Sequence, residues 1–235
     1  MKNKNNLLVN ENLYKERLKK NPDDFNSIFN LALIFLQTNR FDLAKTQLIK
    51  AIDIQPNNFH LHNNLGAVFE KLGQSLNAKS CFEKAIKIKP DFAQAYYNLG
   101  KVFYSLEETK KSAKCFEKAI QINSNNASAH NNLGVIFKEL GENKKAIICY
   151  KKAIQIDNNF ADAYNNLGTI LGESGNLTEA EQIFEKSLNL DQNNAKTYED
   201  YGNILLKLNQ HVKALKFIKK GTGFIRFTDK EYKII

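Results

Sequence analysis

Four segments of the same form decide the fold: Asn63-Asn64-Leu65-Gly66, Tyr97-Asn98-Leu99-Gly100, Asn131-Asn132-Leu133-Gly134 and Asn165-Asn166-Leu167-Gly168. Each begins 34 residues after the one before it. The three cysteines, Cys81, Cys115 and Cys149, have the same spacing, so they mark a repeat and not a disulfide framework. A fixed period of this length indicates a chain built from tandem structural units.

The period divides most of the chain into six windows without insertions: 25–58, 59–92, 93–126, 127–160, 161–194 and 195–228. Within a window, apolar residues recur at intervals of three and four, which is the spacing of one face of an α-helix. Gly73, Gly141 and Gly175 predict a turn at mid-window, because glycine accepts a left-handed backbone. Pro56 stands where a second helix must end. Each window is therefore predicted to form two helices.

One helix pair of this size cannot bury its own apolar stripe, so neighbouring pairs must stack on each other. The chain is 43% hydrophobic and contains only three prolines, which suits a folded helical protein. The predicted fold class is all-α: a right-handed α-solenoid of tandem helix-turn-helix units with a concave groove.

Residues 1–24 are predicted to form an N-terminal capping helix, because apolar residues lie at mostly helical spacing before Pro22. The first helix of the first unit is apolar nearly all round, which indicates burial on several faces. Two interpretations stay open at this point. The capping segment covers that helix, or the helix leaves an apolar pocket around Phe29, Leu33 and Leu36.

Residues 229–235 are predicted to form a C-terminal tail. Thr228-Asp229-Lys230-Glu231 has the form of a capping box, which predicts a short helix through Tyr232 to Ile235. This segment is either a docked tail or the start of a further domain.

The repeat resembles the tetratricopeptide repeat family, whose units carry an aromatic residue, Leu-Gly, and later Ala, aromatic, Ala and Pro at fixed places. The windows cover residues 25–228, and the sixth departs from the pattern after Lys220, where Gly221-Thr222-Gly223 follows. The resemblance implies a scaffold that binds a partner protein or an extended peptide in its concave groove.

An asparagine precedes the Leu-Gly or Leu-Ala step in five windows, with Asp200 in the sixth: Asn30, Asn64, Asn98, Asn132 and Asn166. A similar ladder lines the repeat arm of the O-linked N-acetylglucosamine transferases, which implies that these amides hold a peptide main chain. Neighbouring residues complete the predicted peptide-binding site: Asn63, Tyr97, Lys101, Asn131 and Asn165. The alternative interpretation is that these asparagines serve local hydrogen bonds.

The family's other known binding mode, a carboxylate clamp for chaperone tails, needs Lys and Arg at fixed places. The matching places hold other residues: Asn63, Tyr97, Asn131, Asn165, Gln94, Ser128 and Asp162. Chaperone C-termini are therefore not expected as ligands.

No grouping of residues predicts catalysis, a metal site or a cofactor. The sequence has no Cys-x-x-Cys, no His-Glu-x-x-His and no phosphate-binding glycine loop. We therefore expect no enzyme activity in this chain. The alternative is that it presents substrates to a catalytic domain beyond Ile235.

The formal charge of +9 raises the question of nucleic-acid binding. One lysine recurs in every unit on the second helix, which faces outward in this architecture: Lys50, Lys84, Lys118, Lys152, Lys186 and Lys220. RNA binding through these lysines is thus less expected than peptide binding. No membrane segment or secretion signal is evident, so a cytoplasmic location is predicted, and self-association through the array ends stays open.

Overall fold

The computed structural model describes the backbone of residues 2–222, 226–227 and 232–233, and the side chains of residues 7–222. It divides into two compact units, Met1–Ser124 and Asn125–Ile235. The first unit contains α1 Lys2–Lys20, α2 Phe25–Gln37, α3 Phe41–Ile54, α4 Phe59–Lys71, α5 Ser75–Ile88, α6 Ala93–Ser105 and α7 Thr109–Ile122. The second contains α8 Ala127–Glu139, α9 Asn143–Ile156, α10 Ala161–Glu173, α11 Leu177–Leu190, α12 Ala195–Lys207, α13 His211–Thr222, β1 Arg226–Phe227 and β2 Tyr232–Lys233.

Each predicted window contains two helices, which we name helix A and helix B. The A helices are α2, α4, α6, α8, α10 and α12, and each packs against the B helix that follows it. Within a unit, each B helix also packs on the next A helix. Each unit is therefore a stretch of all-α solenoid, as the sequence predicted.

The turns between helices A and B need a residue with positive φ. Gly73, Gly141 and Gly175 adopt φ of 71°, 75° and 85°, as predicted. The other three repeats use non-glycine residues with φ between 56° and 59°: Asn39, Glu107 and Asn209. Asparagine tolerates this conformation better than most residues, which explains part of its abundance here.

Asparagine also caps the A helices. The side chains of Asn58, Asn126 and Asn194 each accept a hydrogen bond from a backbone N–H in the first turn, and Asp24 does the same for α2. These bonds satisfy N–H groups that have no partner inside the helix.

The core of the four central repeats depends on a close contact between a helix A glycine and a helix B aromatic ring. A Cβ atom built on Gly134 would lie 2.6 Å from Tyr150 Cε1, and one on Gly66 would lie 2.6 Å from Phe82 Cε1. Tyr150 and Phe82 are completely or almost completely buried. The Leu-Gly step therefore sets the distance between the two helices.

At the N-terminal end, α1 packs on α2. Tyr14 and Leu18 contact the same apolar cluster as Phe29 and Leu36, which favours the covering interpretation over the apolar pocket. The Glu11 carboxylate is only 5% exposed and accepts from the Arg40 guanidinium at 3.0 and 2.6 Å. This two-bond ion pair fastens α1 to the first repeat.

At the C-terminal end, the predicted helix is wrong for Tyr232 and Lys233. These residues pair antiparallel with Phe227 and Arg226, respectively. Helix nucleation is unfavourable, and a segment this short forms too few hydrogen bonds to offset it. A cap signal alone therefore does not produce a helix here. Residues 228–231, which carry the cap signal, lie outside the described residues.

The last repeat is attached to its neighbour by a polar network with α11, the helix B of the preceding repeat. Tyr201 replaces the leucine of the other repeats, and its hydroxyl donates to Glu185 at 2.8 Å. Lys213 donates to Glu181 at 2.8 Å, which lowers the pKa of Glu181. These bonds connect α12 and α13 to α11.

We expect Gly134→Val to lower the free energy of unfolding by about 1–3 kcal/mol, because the added side chain overpacks the Tyr150 ring. Urea denaturation checks this value. The penalty should shrink in a Tyr150→Leu background, where the ring edge is absent. Equal stability of Gly134→Val and wild type would contradict the close-contact interpretation.

The Arg40 guanidinium lowers the pKa of Glu11 from 4.5 to about 2. Because the folded pKa is depressed, the pair stabilises the fold above pH 4.5 and this contribution disappears as the pH falls toward about 2. We expect wild type to lose about 2–3 kcal/mol more than Glu11→Gln over this interval. Denaturant unfolding of both proteins at each pH measures the difference, and parallel pH profiles would contradict it.

Candidate functional site

The candidate site is the surface formed by the A helices within each unit, which we name the A-face. Successive A helices contact each other, as α4 does with α6 and α10 does with both α8 and α12. The predicted peptide-binding residues occupy the fifth, sixth and ninth places of these helices. We refer to these places as position five, position six and position nine.

In the first unit, two predicted residues bond to each other. Asn98 at position six of α6 donates from Nδ2 to Oδ1 of Asn63, at position five of α4, over 3.0 Å. The Oδ1 of Asn98 accepts from Gln94 Nε2, also at 3.0 Å. Asn63 and Asn98 are each 8% exposed. This pair therefore bonds adjacent repeats to each other.

The second unit contains the same arrangement. Asn166 on α10 donates from Nδ2 to Oδ1 of Asn131 on α8 over 3.0 Å. Asn131 is buried, whereas Asn166 is half-buried. We name each such bond between position five and position six an amide rung.

A rung requires an amide at position five of the preceding repeat, and the repeat that precedes Asn64 has none. The preceding residue at that place is Phe29, which has no polar group. Asn64 is half-buried, and its amide makes no hydrogen bond within the described residues. Asn30 is different again, because its Nδ2 donates to the carbonyl of Asn26 in its own helix at 2.7 Å.

The remaining predicted residues of the two units are placed as follows. Asn132 and Tyr97 are half-buried, and the Tyr97 ring lies 5.7 Å from the Phe116 ring. Lys101 forms an ion pair with Glu70 at 2.6 Å, and Lys138 forms one with Glu173 at 2.8 Å. These two ion pairs each join neighbouring A helices across the A-face.

Asn165 is at position five of α10, where a rung to α12 would form, but position six of α12 is Asp200. Asn165 is 5% exposed, and its Oδ1 is buried without a hydrogen-bond partner in the described part of the chain. Asp200 accepts from Thr169 Oγ1 at 3.3 Å.

Sequence reasoning named most of these residues but missed how they combine. It aligned position six along one face and did not pair it with position five of the preceding repeat. The signal was present, because at both rungs an asparagine at position five is followed 35 residues later by an asparagine at position six. Gln94 was named only as a departure from the carboxylate clamp, and Thr169 was not named.

The other side chains considered for chemistry are those that could bind a metal ion and the cysteine thiols. Among the described residues, no three His, Cys, Asp or Glu side chains are placed to hold a metal ion. Burial raises the pKa of Cys81 and Cys115 to about 11 each. A raised pKa disfavours the thiolate, which is the reactive form.

The recurring lysines lie on the B helices and are exposed. Lys118 and Lys152 donate to glutamines on their own helices. RNA binding through this row stays a prediction. Across the described residues, we find no helix with the length and apolar character that crossing a membrane requires.

We expect Asn98→Ala to cost about 1–3 kcal/mol in unfolding free energy, because it leaves the buried Oδ1 of Asn63 without a donor. The double variant Asn63→Ala/Asn98→Ala should cost less than the sum of the single variants. Asn64→Ala is the matched control, since it has the same place in the repeat but no rung, and should change stability by less than about 0.5 kcal/mol. Equal costs for Asn64→Ala and Asn98→Ala would contradict a stabilising rung.

Comparison with known proteins agrees with this architecture. Family profiles described as TPR repeat match residues 32–73, 77–107, 100–141 and 136–175, and profiles described as Tetratricopeptide repeat match residues 161–194 and 183–216. A search of curated proteins gives no match.

Several solved structures share the fold. A crystal structure of MamA is 28% identical, with a TM-score of 0.62, over 67% of this chain and 92% of that one. The crystal structure of YrrB, described as a TPR protein with an unusual peptide-binding site, is 24% identical, with a TM-score of 0.63, over 75% of this chain and 91% of that one. PilF of Pseudomonas aeruginosa is 18% identical, with a TM-score of 0.75, over 82% of this chain and 88% of that one. The profile matches extend over most of the chain, which therefore belongs to the tetratricopeptide repeat family and has the fold of a protein-interaction scaffold.

Proposed function

We propose that this protein binds an extended segment of a partner protein on its A-face, through side-chain amides that contact the ligand's main chain. The proposed residues of the first unit are Asn30, Asn63, Asn64, Asn98, Tyr97 and Lys101. Those of the second unit are Asn131, Asn132, Asn165 and Asn166.

The observation that carries the proposal is the unpaired amide of Asn64. An Asn side chain has two N–H donors and one carbonyl acceptor, so it can bond both backbone groups of a peptide. Asn64 is half-buried on the A-face and uses none of this capacity within the described residues. An uncharged amide held among ordered neighbours is suited to an uncharged main chain.

The rungs restrict which amides contribute. Asn98 uses its Nδ2 and its Oδ1 inside the protein and is 8% exposed, so its main role is to fix the neighbouring A helices. Asn166 donates one N–H to Asn131, and its Oδ1 remains available to accept from a ligand N–H. Ligand recognition therefore falls mainly on the half-buried amides.

Two ion pairs on the A-face support main-chain recognition. The Lys101–Glu70 and Lys138–Glu173 pairs occupy charged groups that a ligand would otherwise engage. Exposed ion pairs of this kind contribute little to stability, so they can exchange for ligand contacts at small cost.

We expect a random peptide library displayed on phage to yield peptides that bind the folded wild-type protein. Asn64→Ala should weaken each selected first-unit peptide by about 2- to 10-fold, the value of one amide hydrogen bond. Because the Asn64 amide makes no hydrogen bond within the described residues, we expect its removal to leave the fold intact. Fluorescence polarisation with the labelled peptide measures the loss of affinity.

The matched control is Asn77→Ala, an exposed asparagine on the B helix α5. It should leave the affinity unchanged. Failure to select any peptide on the folded protein, or equal losses in both variants, would refute binding through the A-face amides.

A further inference from the structure

The last rung position combines two acceptors where the other repeats combine a donor with an acceptor. In both complete rungs, Oδ1 at position five accepts from Nδ2 at position six of the next A helix, at 3.0 Å. Asn165 and Asp200 hold these places on α10 and α12, which contact each other. An ionised carboxylate has no hydrogen to donate, so Asp200 cannot complete the rung.

Both acceptors are short of donors. The buried Oδ1 of Asn165 has no partner among the described residues. The Thr169 hydroxyl lies 2.9 Å from the main-chain carbonyl oxygen of Asn165 and 3.3 Å from Asp200 Oδ2. A hydroxyl carries one hydrogen, so Thr169 donates either to this main-chain carbonyl or to Asp200, and in both cases the Oδ1 of Asn165 stays without a donor.

The charges around this position favour a cation. The second unit has five acidic residues on its A helices at the places that line the A-face: Glu139, Asp162, Glu173, Glu199 and Asp200. It has three lysines there, Lys138, Lys196 and Lys207. Lys138 is paired with Glu173, and within the described residues Asp200 forms no ion pair.

We propose that Asn165, Thr169 and Asp200 form a subsite for a lysine or arginine side chain of the bound peptide. This rests on the proposed function and adds a sequence preference to it. An ammonium group has three N–H donors and a guanidinium has five, so either can bond the Asp200 carboxylate and the Asn165 Oδ1 together. The ligand thereby supplies the donor that position six provides in the complete rungs.

The first test is the stability of Asp200→Asn. This substitution restores the residue of the complete rungs, so its Nδ2 should donate to Asn165 Oδ1 and raise the melting temperature by about 2–4 °C. Calorimetry on the full chain measures the shift. An unchanged or lower melting temperature would show that Asn165 already donates to Asp200, and would overturn the subsite.

The second test is the composition of the selected peptides. The same displayed library is panned on wild type, Asp200→Asn and Glu199→Gln. Only peptides that compete with one another for the A-face of the second unit are counted. We expect wild type to enrich Lys or Arg at one fixed place, Asp200→Asn to lose that enrichment while still selecting peptides, and Glu199→Gln to keep it. Glu199→Gln is the matched control because this substitution removes a neighbouring charge on the same helix.

The outcomes separate the two proposals. Equal enrichment of basic residues by wild type and Asp200→Asn, or no enrichment by either, overturns the subsite and leaves peptide binding standing. Loss of enrichment in Glu199→Gln as well attributes the preference to general charge and also overturns the subsite. Absence of any selected peptide on folded wild type overturns the proposed function itself.

Discussion

The close approach of helix A to helix B at the Leu-Gly step is the constraint on which the rest of the structure depends. The glycine leaves room for a buried aromatic ring of helix B, as between Gly134 and Tyr150. Because this contact recurs in register, the A helices are presented at a regular interval within each unit. Side chains at equivalent places, such as Asn131 and Asn166, are then near enough to bond across repeats.

This regularity gives the asparagines two roles that compete for the same atoms. A rung uses an amide to connect neighbouring repeats, and a ligand would use the same amide to bind. The position-five asparagines Asn63, Asn131 and Asn165 are all less than a tenth exposed, as is Asn98, whereas Asn64 and Asn166 are half-buried. Under the proposed function, the buried amides serve stacking and the half-buried ones remain accessible to a ligand.

The sequence predicted the repeat, its helix pairs and the turn glycines, because each follows from a local pattern that recurs at a fixed period. It did not predict positive φ at Asn39, Glu107 and Asn209, where the turn is imposed by the packed helices and not by glycine. The amide rungs were also missed, because each joins residues of different repeats and depends on how closely the A helices pack. The Oδ1 of Asn165 has no partner in the described part of the chain, and this could be found only once its neighbours were placed.

The last repeat is attached to its neighbour mainly through α11. Its A-face contact lacks a complete rung, as does the contact between the first two repeats, whereas Tyr201 and Lys213 bond Glu185 and Glu181 on α11. Local opening starts where the fewest bonds must break. Separating α12 from α10 would break the hydrogen bond from Thr169 to Asp200, whereas separating the last repeat from α11 would break the bonds of Tyr201 and Lys213. A chain that inserts between α10 and α12 therefore meets the weaker of the two attachments.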